Sequence, residues 1–170
     1  MSLIFFSFYK IFKMSDIVRA VRKNNLNQVK ELISQGYNIN LPDNNGDTAL
    51  ILAAYEGKTE ILKLLLEAGA DVTVLDPGMK ATALHAAAYA GRTEAAKLLI
   101  EYNIDINKQG PYNGYTALHD AIWQNNIETA KVIIDAGADL NIKSNNGQTP
   151  LEMAKNLNRT KIVKLIEEKL

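Results

Sequence analysis

Apolar and polar positions follow one another along this chain with the period of short amphipathic helices. In the stretch Ile61–Leu65, apolar residues recur three and four positions apart, which places them on one face of a helix. The stretch 26–33 shows the same pattern. Between such stretches lie segments rich in Asn, Asp, Gly and Pro, a composition typical of turns. The pattern therefore predicts a series of short helices joined by polar turns.

The helical stretches belong to a repeated unit. An apolar run follows a threonine at Thr48, Thr82, Thr116 and Thr149, so these threonines are 34, 34 and 33 residues apart. A fixed period of this length indicates stacked repeats, each of which buries its apolar face against its neighbours. Residues 14–170 are therefore predicted to form one cooperative all-α domain.

The period divides this domain into five repeats. The first and the last have charged exteriors, as expected where one face of a terminal repeat meets water. The predicted repeats cover about residues 14–42, 43–75, 76–109, 110–143 and 144–170.

Helix-start and helix-stop residues stand at fixed positions within each repeat. The recurring threonines are placed as N-caps, since a threonine hydroxyl accepts hydrogen bonds from free backbone N–H groups. Nine residues later comes a Gly or Asn, residue types that tolerate the left-handed conformation in which helices end. These stop residues are Gly57, Gly91, Asn125 and Asn158. Each repeat is thus predicted to be two helices followed by a polar finger.

The repeated residues resemble the ankyrin repeat, whose unit of about 33 residues carries Gly-x-Thr-Pro-Leu-His-x-Ala-Ala, a second helix and Gly-Ala-Asp-Val-Asn. The family pattern is interrupted by Ile51 and Glu152 at the His position and by Asn103 at the turn Gly. The matching segments are residues 82–88, 116–119 and 149–151 and the turns 69–72 and 137–141.

The resemblance implies an ankyrin-repeat solenoid of helix-turn-helix units with β-turn or hairpin fingers. It also implies a non-enzymatic scaffold that binds a partner protein through its concave groove and its finger loops. The two histidines, His85 and His119, both occupy the family's His position, which implies structural hydrogen bonds to the finger backbone.

The amino-acid composition further limits the kinds of site and partner that the chain can have. The 19 basic and 19 acidic side chains give no whole-molecule argument for nucleic-acid binding. The chain has no Cys, which excludes disulfides and thiolate metal sites and fits the reducing cytoplasm. No phosphate-binding glycine loop or metal-ligand spacing occurs. We therefore expect a cytoplasmic protein with no catalytic residue, cofactor, metal, small-molecule substrate or nucleic-acid partner.

Residues 1–13 share nothing with the repeats and hold all four Phe of the chain. This apolar N-terminal extension is shorter than the roughly 20 residues that span a bilayer, and it lacks the early positive charge of a signal peptide. Three interpretations stay open. Met14 is the true initiator, or the segment packs on the first repeat or a second copy, or it targets an exported or membrane-surface accessory protein. No other part of the chain suggests membrane contact.

Seven residues after the threonine, three successive repeats hold an aromatic residue: Tyr55, Tyr89 and Trp123. Because these residues are 34 positions apart, stacking predicts an aromatic row along the array, and the resemblance implies that this position faces the groove. Exposed aromatic side chains offer large, rigid contact area and are favoured binding anchors. The alternative is that they partly pack on their neighbours as framework residues.

Two fingers are one residue longer than the others and flank the third repeat, at residues 76–81 and 109–115. Loops tolerate insertions and often carry function, so Met79, Tyr112 and Tyr115 are predicted to add an apolar rim. Neutral drift in a solvent loop is the alternative. The predicted partner-binding residues are therefore Tyr55, Tyr89, Trp123, Met79, Tyr112 and Tyr115.

Acidic side chains accompany the aromatic row at Asp47, Glu56 and Asp120. They favour a partner with basic residues around an apolar anchor, because charge complementarity raises the rate and selectivity of association. The alternative is that they are merely solvated.

Overall fold

The computed structural model describes residues 16–170, and this part of the chain forms ten α-helices and no strand. The prediction of an all-α helical solenoid is confirmed. The fingers between the helix pairs are turns, each closed by backbone hydrogen bonds. The predictions made for residues 1–13 lie outside the described residues.

The helices alternate between two rows. Each inner helix packs against the outer helix that follows it and against the next inner helix. The inner helices are α1 (Asp16–Arg22), α3 (Ala49–Glu56), α5 (Ala83–Tyr89), α7 (Ala117–Gln124) and α9 (Pro150–Asn156). The outer helices are α2 (Leu26–Ser34), α4 (Thr59–Glu67), α6 (Thr93–Glu101), α8 (Ile127–Asp135) and α10 (Thr160–Glu167).

Small side chains bring the inner helices together. One alanine position recurs in four inner helices, and in each it is completely buried. A single methyl group keeps neighbouring backbones close, while larger residues such as Leu84, Leu118 and Ile133 fill the space between the two rows. The four alanines are Ala53, Ala87, Ala121 and Ala154.

The predicted helix caps are present. The hydroxyl of Thr82 accepts a hydrogen bond from the backbone N–H of His85 at 3.4 Å, and Thr48 and Thr149 accept the equivalent bond. Thr116, also at an N-cap, bonds through its hydroxyl to the ring of His119 at 2.9 Å. Sequence reasoning thus located the start of these four inner helices.

The predicted helix-stop residues adopt left-handed backbone conformations. Gly57 has φ of 71° and Asn125 has φ of 59°, and Gly91 and Asn158 fall in the same region. Because each inner helix ends sharply at this residue, the chain reverses at once into the outer helix.

The two buried histidines connect neighbouring repeats. Nδ1 of His85 accepts the backbone N–H of Thr82 at 3.3 Å, so Nε2–H donates to the carbonyl of Tyr115 in the next finger, 3.1 Å away. His119 repeats this arrangement with Thr116 and with the carbonyl of Gln148. Burial lowers the pKa of both histidines, which keeps the rings neutral. These are the finger contacts that the family resemblance implied.

A second set of contacts between repeats comes from the residue just before each outer helix. Nε of Arg92 donates to the carbonyl of Tyr55 at 3.1 Å, and Nη2 of Arg159 donates to the carbonyl of Trp123 at 2.9 Å. These carbonyls lie at the C-terminal ends of inner helices, where backbone oxygens lack helical partners. We call the four side chains of this kind the clasp residues: Lys58, Arg92, Asn126 and Arg159.

Candidate partner-binding groove

A groove of about 760 Å³ crosses the inner helices α3, α5 and α7. Its walls include the side chains of Tyr55, Tyr89 and Trp123, which are 49%, 48% and 50% exposed. The structure therefore places the aromatic row along one continuous concavity. Half of each side chain packs on the framework, and the other half is available to another molecule.

The floor of the groove is apolar. Ile51 and Leu52 are buried beneath the aromatic row, and Ala86 is half-buried beside them. Ala86 occupies the position in its helix that Leu52 occupies in α3, four residues after the capping threonine. Because alanine carries a single methyl group, the groove is less filled at the third repeat than at the second.

Residues of both long fingers line the groove. In one of these fingers, the N–H of Asp76 donates a hydrogen bond to the carbonyl of Ala81 at 2.8 Å. This bond closes a loop that is one residue longer than the short finger, which is closed by the bond from Asp43 to Asp47. The extra residue allows Met79 to line the groove while 63% exposed. An inserted finger residue thus contributes directly to the concave surface.

The second long finger separates the two tyrosines predicted from its sequence. Tyr112 is 65% exposed and does not line the groove, and its carbonyl accepts a hydrogen bond from Asn145. Tyr115 does line the groove. Five of the six predicted residues therefore meet in the concavity, and Tyr112 stands outside it on the finger.

Tyr115 also supports the framework. Its ring stacks on His119 with a centroid distance of 5.4 Å and an interplanar angle of 13°. The same ring contacts that of Trp123 in a tilted arrangement, with a centroid distance of 6.5 Å and an interplanar angle of 46°. A change at Tyr115 would therefore disturb the groove wall and the buried histidine together.

Most charged groups that line the groove have a partner. Arg22 forms ion pairs with Asp43 and Asp47, and Glu56 pairs with the clasp residue Lys58. The carboxylate of Asp76 accepts the N–H of Met79. These groups are satisfied within the fold.

Asp120 differs from them. Within residues 16–170 its carboxyl group forms no hydrogen bond and no ion pair, although it lines the groove and is half-buried. Burial raises its pKa to about 7. Burial and the charge of Asp120 together raise the pKa of Tyr115. The groove therefore holds, on α7, an acid without a partner in the described part of the chain.

Sequence reasoning found the aromatic row and missed its floor. Ile51, Leu52 and Ala86 stand three or four residues before the aromatic of the same helix, and residues so spaced share a helix face. Helical spacing alone would therefore have identified them. Asp120 was grouped with Asp47 and Glu56, and no sequence signal marked it as the one without a partner.

Other kinds of site have little support in the described residues. Residues 16–170 bring no three His, Asp or Glu side chains close enough together to hold a metal ion. The helices of this part of the chain are also too short, or not apolar enough, to cross a membrane.

Stacked helix pairs, closed by polar fingers and bearing a concave aromatic groove, define a helical-repeat solenoid. The family profile described as "Ankyrin repeats (3 copies)" matches residues 17–110, 69–144 and 111–169. The chain belongs to the ankyrin-repeat family. Ankyrin repeats are generally protein–protein interaction modules, and the fold itself is non-enzymatic.

Individual relatives match shorter stretches. The chain is 34% identical over 67 residues to palmitoyltransferase Hip14 of Drosophila melanogaster, and 36% identical over 64 residues to the human mitochondrial disaggregase. It is 36% identical over 58 residues to the ankyrin repeat protein FPV219 of fowlpox virus. These matches cover 39%, 38% and 34% of this chain but 10%, 9% and 13% of the relatives. The chain therefore spans only about a tenth of the length of these relatives.

Proposed function

We propose that this protein is a scaffold that binds a partner protein through its concave groove and its two long fingers. One observation carries the proposal: apolar exposure is concentrated in the groove. Among residues 16–170, seven large apolar side chains are exposed, and four of them line this concavity. The four are Tyr55, Met79, Tyr89 and Trp123.

Clustered apolar exposure of this kind is typical of an interaction site, since isolated soluble proteins rarely leave such area uncovered. Aromatic rings at the centre of a concavity are also the side chains that most often dominate binding energy. Tyr115 would contribute from the groove wall. Tyr112, outside the concavity, would contact only a partner large enough to reach over the finger.

Affinity capture with the full chain tests the groove. The variant Tyr89→Ala/Trp123→Ala removes two anchors, each worth about 2 kcal/mol if it is a hot spot, so affinity should fall several hundredfold. A matched control, Leu75→Ala/Leu170→Ala, removes two exposed apolar side chains outside the groove. Circular dichroism first establishes that all three proteins are folded. A partner held by the wild type and the control, and lost by the groove variant, is the expected result.

Equal capture by the groove variant would contradict the proposal and identify the aromatic row as framework. The fingers and the outer helices would then become the surfaces to examine. Leu75 and Leu170 are exposed apolar residues, as Tyr89 and Trp123 are. A loss of the partner in both variants would therefore indicate nonspecific binding to exposed apolar groups, and it would contradict the proposal.

We place this interaction in the cytoplasm, on the basis of the cysteine-free composition. The alternative, an exported or membrane-surface accessory protein, rests on residues 1–13 alone. The intact mass of the natural protein separates the two, because it shows whether the chain starts at Met1, at Met14 or after a cleavage site.

A further inference from the structure

The unpaired carboxyl group of Asp120 shares its helix face with an aromatic anchor. Asp120 and Trp123 stand three residues apart in α7, a spacing that puts their side chains next to each other on one side of a helix. Both line the groove, together with Tyr89 from the preceding inner helix. An acid and two half-exposed rings therefore face the same space.

The charges that line the groove favour a cation. Among residues 16–170, Arg22 is the one lining side chain with a permanent positive charge, and Asp43 and Asp47 already bind it. His85 also lines the groove, but burial lowers its pKa and its ring is engaged with Tyr115. Four acids of the described part of the chain line the same surface: Asp47, Glu56, Asp76 and Asp120. An anionic group entering the groove would be repelled, and a cationic one attracted.

The aromatic rings act in the same direction. The face of a Trp or Tyr ring attracts an ammonium or guanidinium group within about 6 Å, by about 0.5–2 kcal/mol. Tyr89 and Trp123 are each about half exposed, so part of each ring is accessible from the groove. A carboxylate beside such rings provides a charge partner, and the rings provide an apolar surface for the aliphatic stem of a Lys or Arg side chain.

We propose that the groove binds a lysine or arginine side chain of the partner protein, held between the carboxylate of Asp120 and the rings of Tyr89 and Trp123. This inference rests on the proposed function and specifies what the groove selects. An uncharged apolar anchor would cover Asp120 without pairing it, and burying an unpaired carboxylate is costly. A basic side chain relieves that cost.

In the row of equivalent residues along α3, α5, α7 and α9, the acid occurs once. The position four residues after the capping threonine holds Leu52, Ala86, Asp120 and Met153 in successive repeats. The other three are apolar, so this row offers a carboxylate at the fourth repeat alone. A partner segment would therefore be fixed in one register, with its basic residue at the fourth repeat.

Trp123 allows a direct test, because it is the only Trp among the 170 residues and its fluorescence reports this position. The full chain is titrated at pH 8 and constant ionic strength with the methylamides of Nα-acetyl-arginine and Nα-acetyl-lysine. The neutral counterparts are the citrulline and norleucine compounds. We expect the two cations to bind with Kd in the millimolar range, and the neutral compounds at least about tenfold more weakly.

The charge of Asp120 is tested by substitution. Asp120→Asn keeps the shape of the side chain and should weaken binding of the arginine compound about tenfold. Glu128→Gln makes the same charge change on the exposed side of α8 and should leave binding unchanged. Circular dichroism verifies that both variants are folded.

Three results would overturn the inference: citrulline binding as tightly as arginine, Asp120→Asn binding as tightly as the wild type, or no fluorescence response to either cation at about 100 mM. The proposed function is tested separately from this inference. If Tyr89→Ala/Trp123→Ala loses the captured partner while Asp120→Asn keeps it, the groove binds a partner without selecting a cation. If the double variant keeps the partner, the groove proposal itself falls.

Discussion

The outer helices and the groove use charge and aromatic area in opposite ways. Along the outer helices, acids and bases pair within one helix, as Lys97 does with Glu94 at 2.6 Å and Lys131 does with Asp135. In the groove, two half-exposed rings line the same concavity as Asp120, an acid with no partner in the described part of the chain. Several charges of the outer face are thus paired within the fold, whereas Asp120 in the groove is not.

This difference distinguishes the residues that stabilise the fold from those that the fold exposes to a partner. Surface ion pairs contribute little to stability, typically less than about 1 kcal/mol, so the outer face is best understood as a solvated exterior. The groove leaves apolar area and a charge unsatisfied, although folding does not need either. The comparison can be tested by asking which substitutions cost stability and which do not.

The largest effect is expected in the layer beneath the groove. Ile122 lies in α7 next to Trp123 and is completely buried. Ile122→Ala should lower the free energy of unfolding by about 3 kcal/mol, because it removes buried methyl groups and leaves a cavity. Urea denaturation measures the loss. Tyr89→Ala, half exposed in the groove, is the matched comparison and should cost about 1 kcal/mol.

A cost at Tyr89 equal to that at Ile122 would erase the distinction between framework and presented surface. It would mean that the aromatic row is held in the fold as firmly as the core.

The next effect concerns Asp120 and depends on pH. Because burial raises its pKa to about 7, the folded protein binds more protons than the unfolded chain between about pH 4 and pH 7. The stability associated with this group is complete below pH 4 and is lost as the pH rises towards 7. Asp120→Asn should therefore raise the free energy of unfolding by about 2 kcal/mol at pH 8 and change it little at pH 4.

Denaturation of the wild type and of Asp120→Asn across this range measures the difference, with Glu128→Gln as the control for a lost surface charge. The histidines act in the opposite sense. The pKa values of His85 and His119 are lowered by burial, so stability falls as the pH drops below about 6.5. Both variants retain these histidines, so the comparison isolates the carboxyl group. A pH-independent difference would show that Asp120 is well solvated.

The smallest effect should come from the clasp residues. The side-chain amide of Asn126 donates to the carbonyls of Ala88 and Tyr89, at 2.8 and 3.0 Å. Asn126→Ala should lower the free energy of unfolding by about 1 kcal/mol, the usual net value of such hydrogen bonds. Gln124→Ala, an exposed residue two positions earlier, should change it by less than about 0.5 kcal/mol. Equal unfolding midpoints in urea for the two variants would show that the clasp does not stabilise the array.

Local rules were enough to predict the fold. The threonines 33 or 34 residues apart, the Gly or Asn nine residues later and the buried alanines each act within one repeat or between equivalent positions of neighbouring repeats. Repetition then shows each of these signals several times in the same phase. This is why the all-α solenoid, and the residues at which its inner helices begin, could be predicted from the amino-acid sequence alone.

Contacts between different residue types could not be predicted in this way. The clasp position holds Lys58, Arg92, Asn126 and Arg159, so no single residue type marks it, although all four donate to carbonyls about 36 residues earlier. The separation of Tyr112 from Tyr115 also depended on the path of one finger. Such features arise from tertiary geometry and leave no periodic trace in the sequence.

The clasp has a consequence for how this surface can change. Arg92, Asn126 and Arg159 hold Tyr55, Tyr89 and Trp123 by their backbone oxygens, which every amino acid possesses. The location of each groove position is therefore set independently of the side chain that occupies it. Substitutions there can alter what the groove recognises while the spacing of its recognition points stays the same. New binding preferences are accessible to this scaffold without redesign of its architecture.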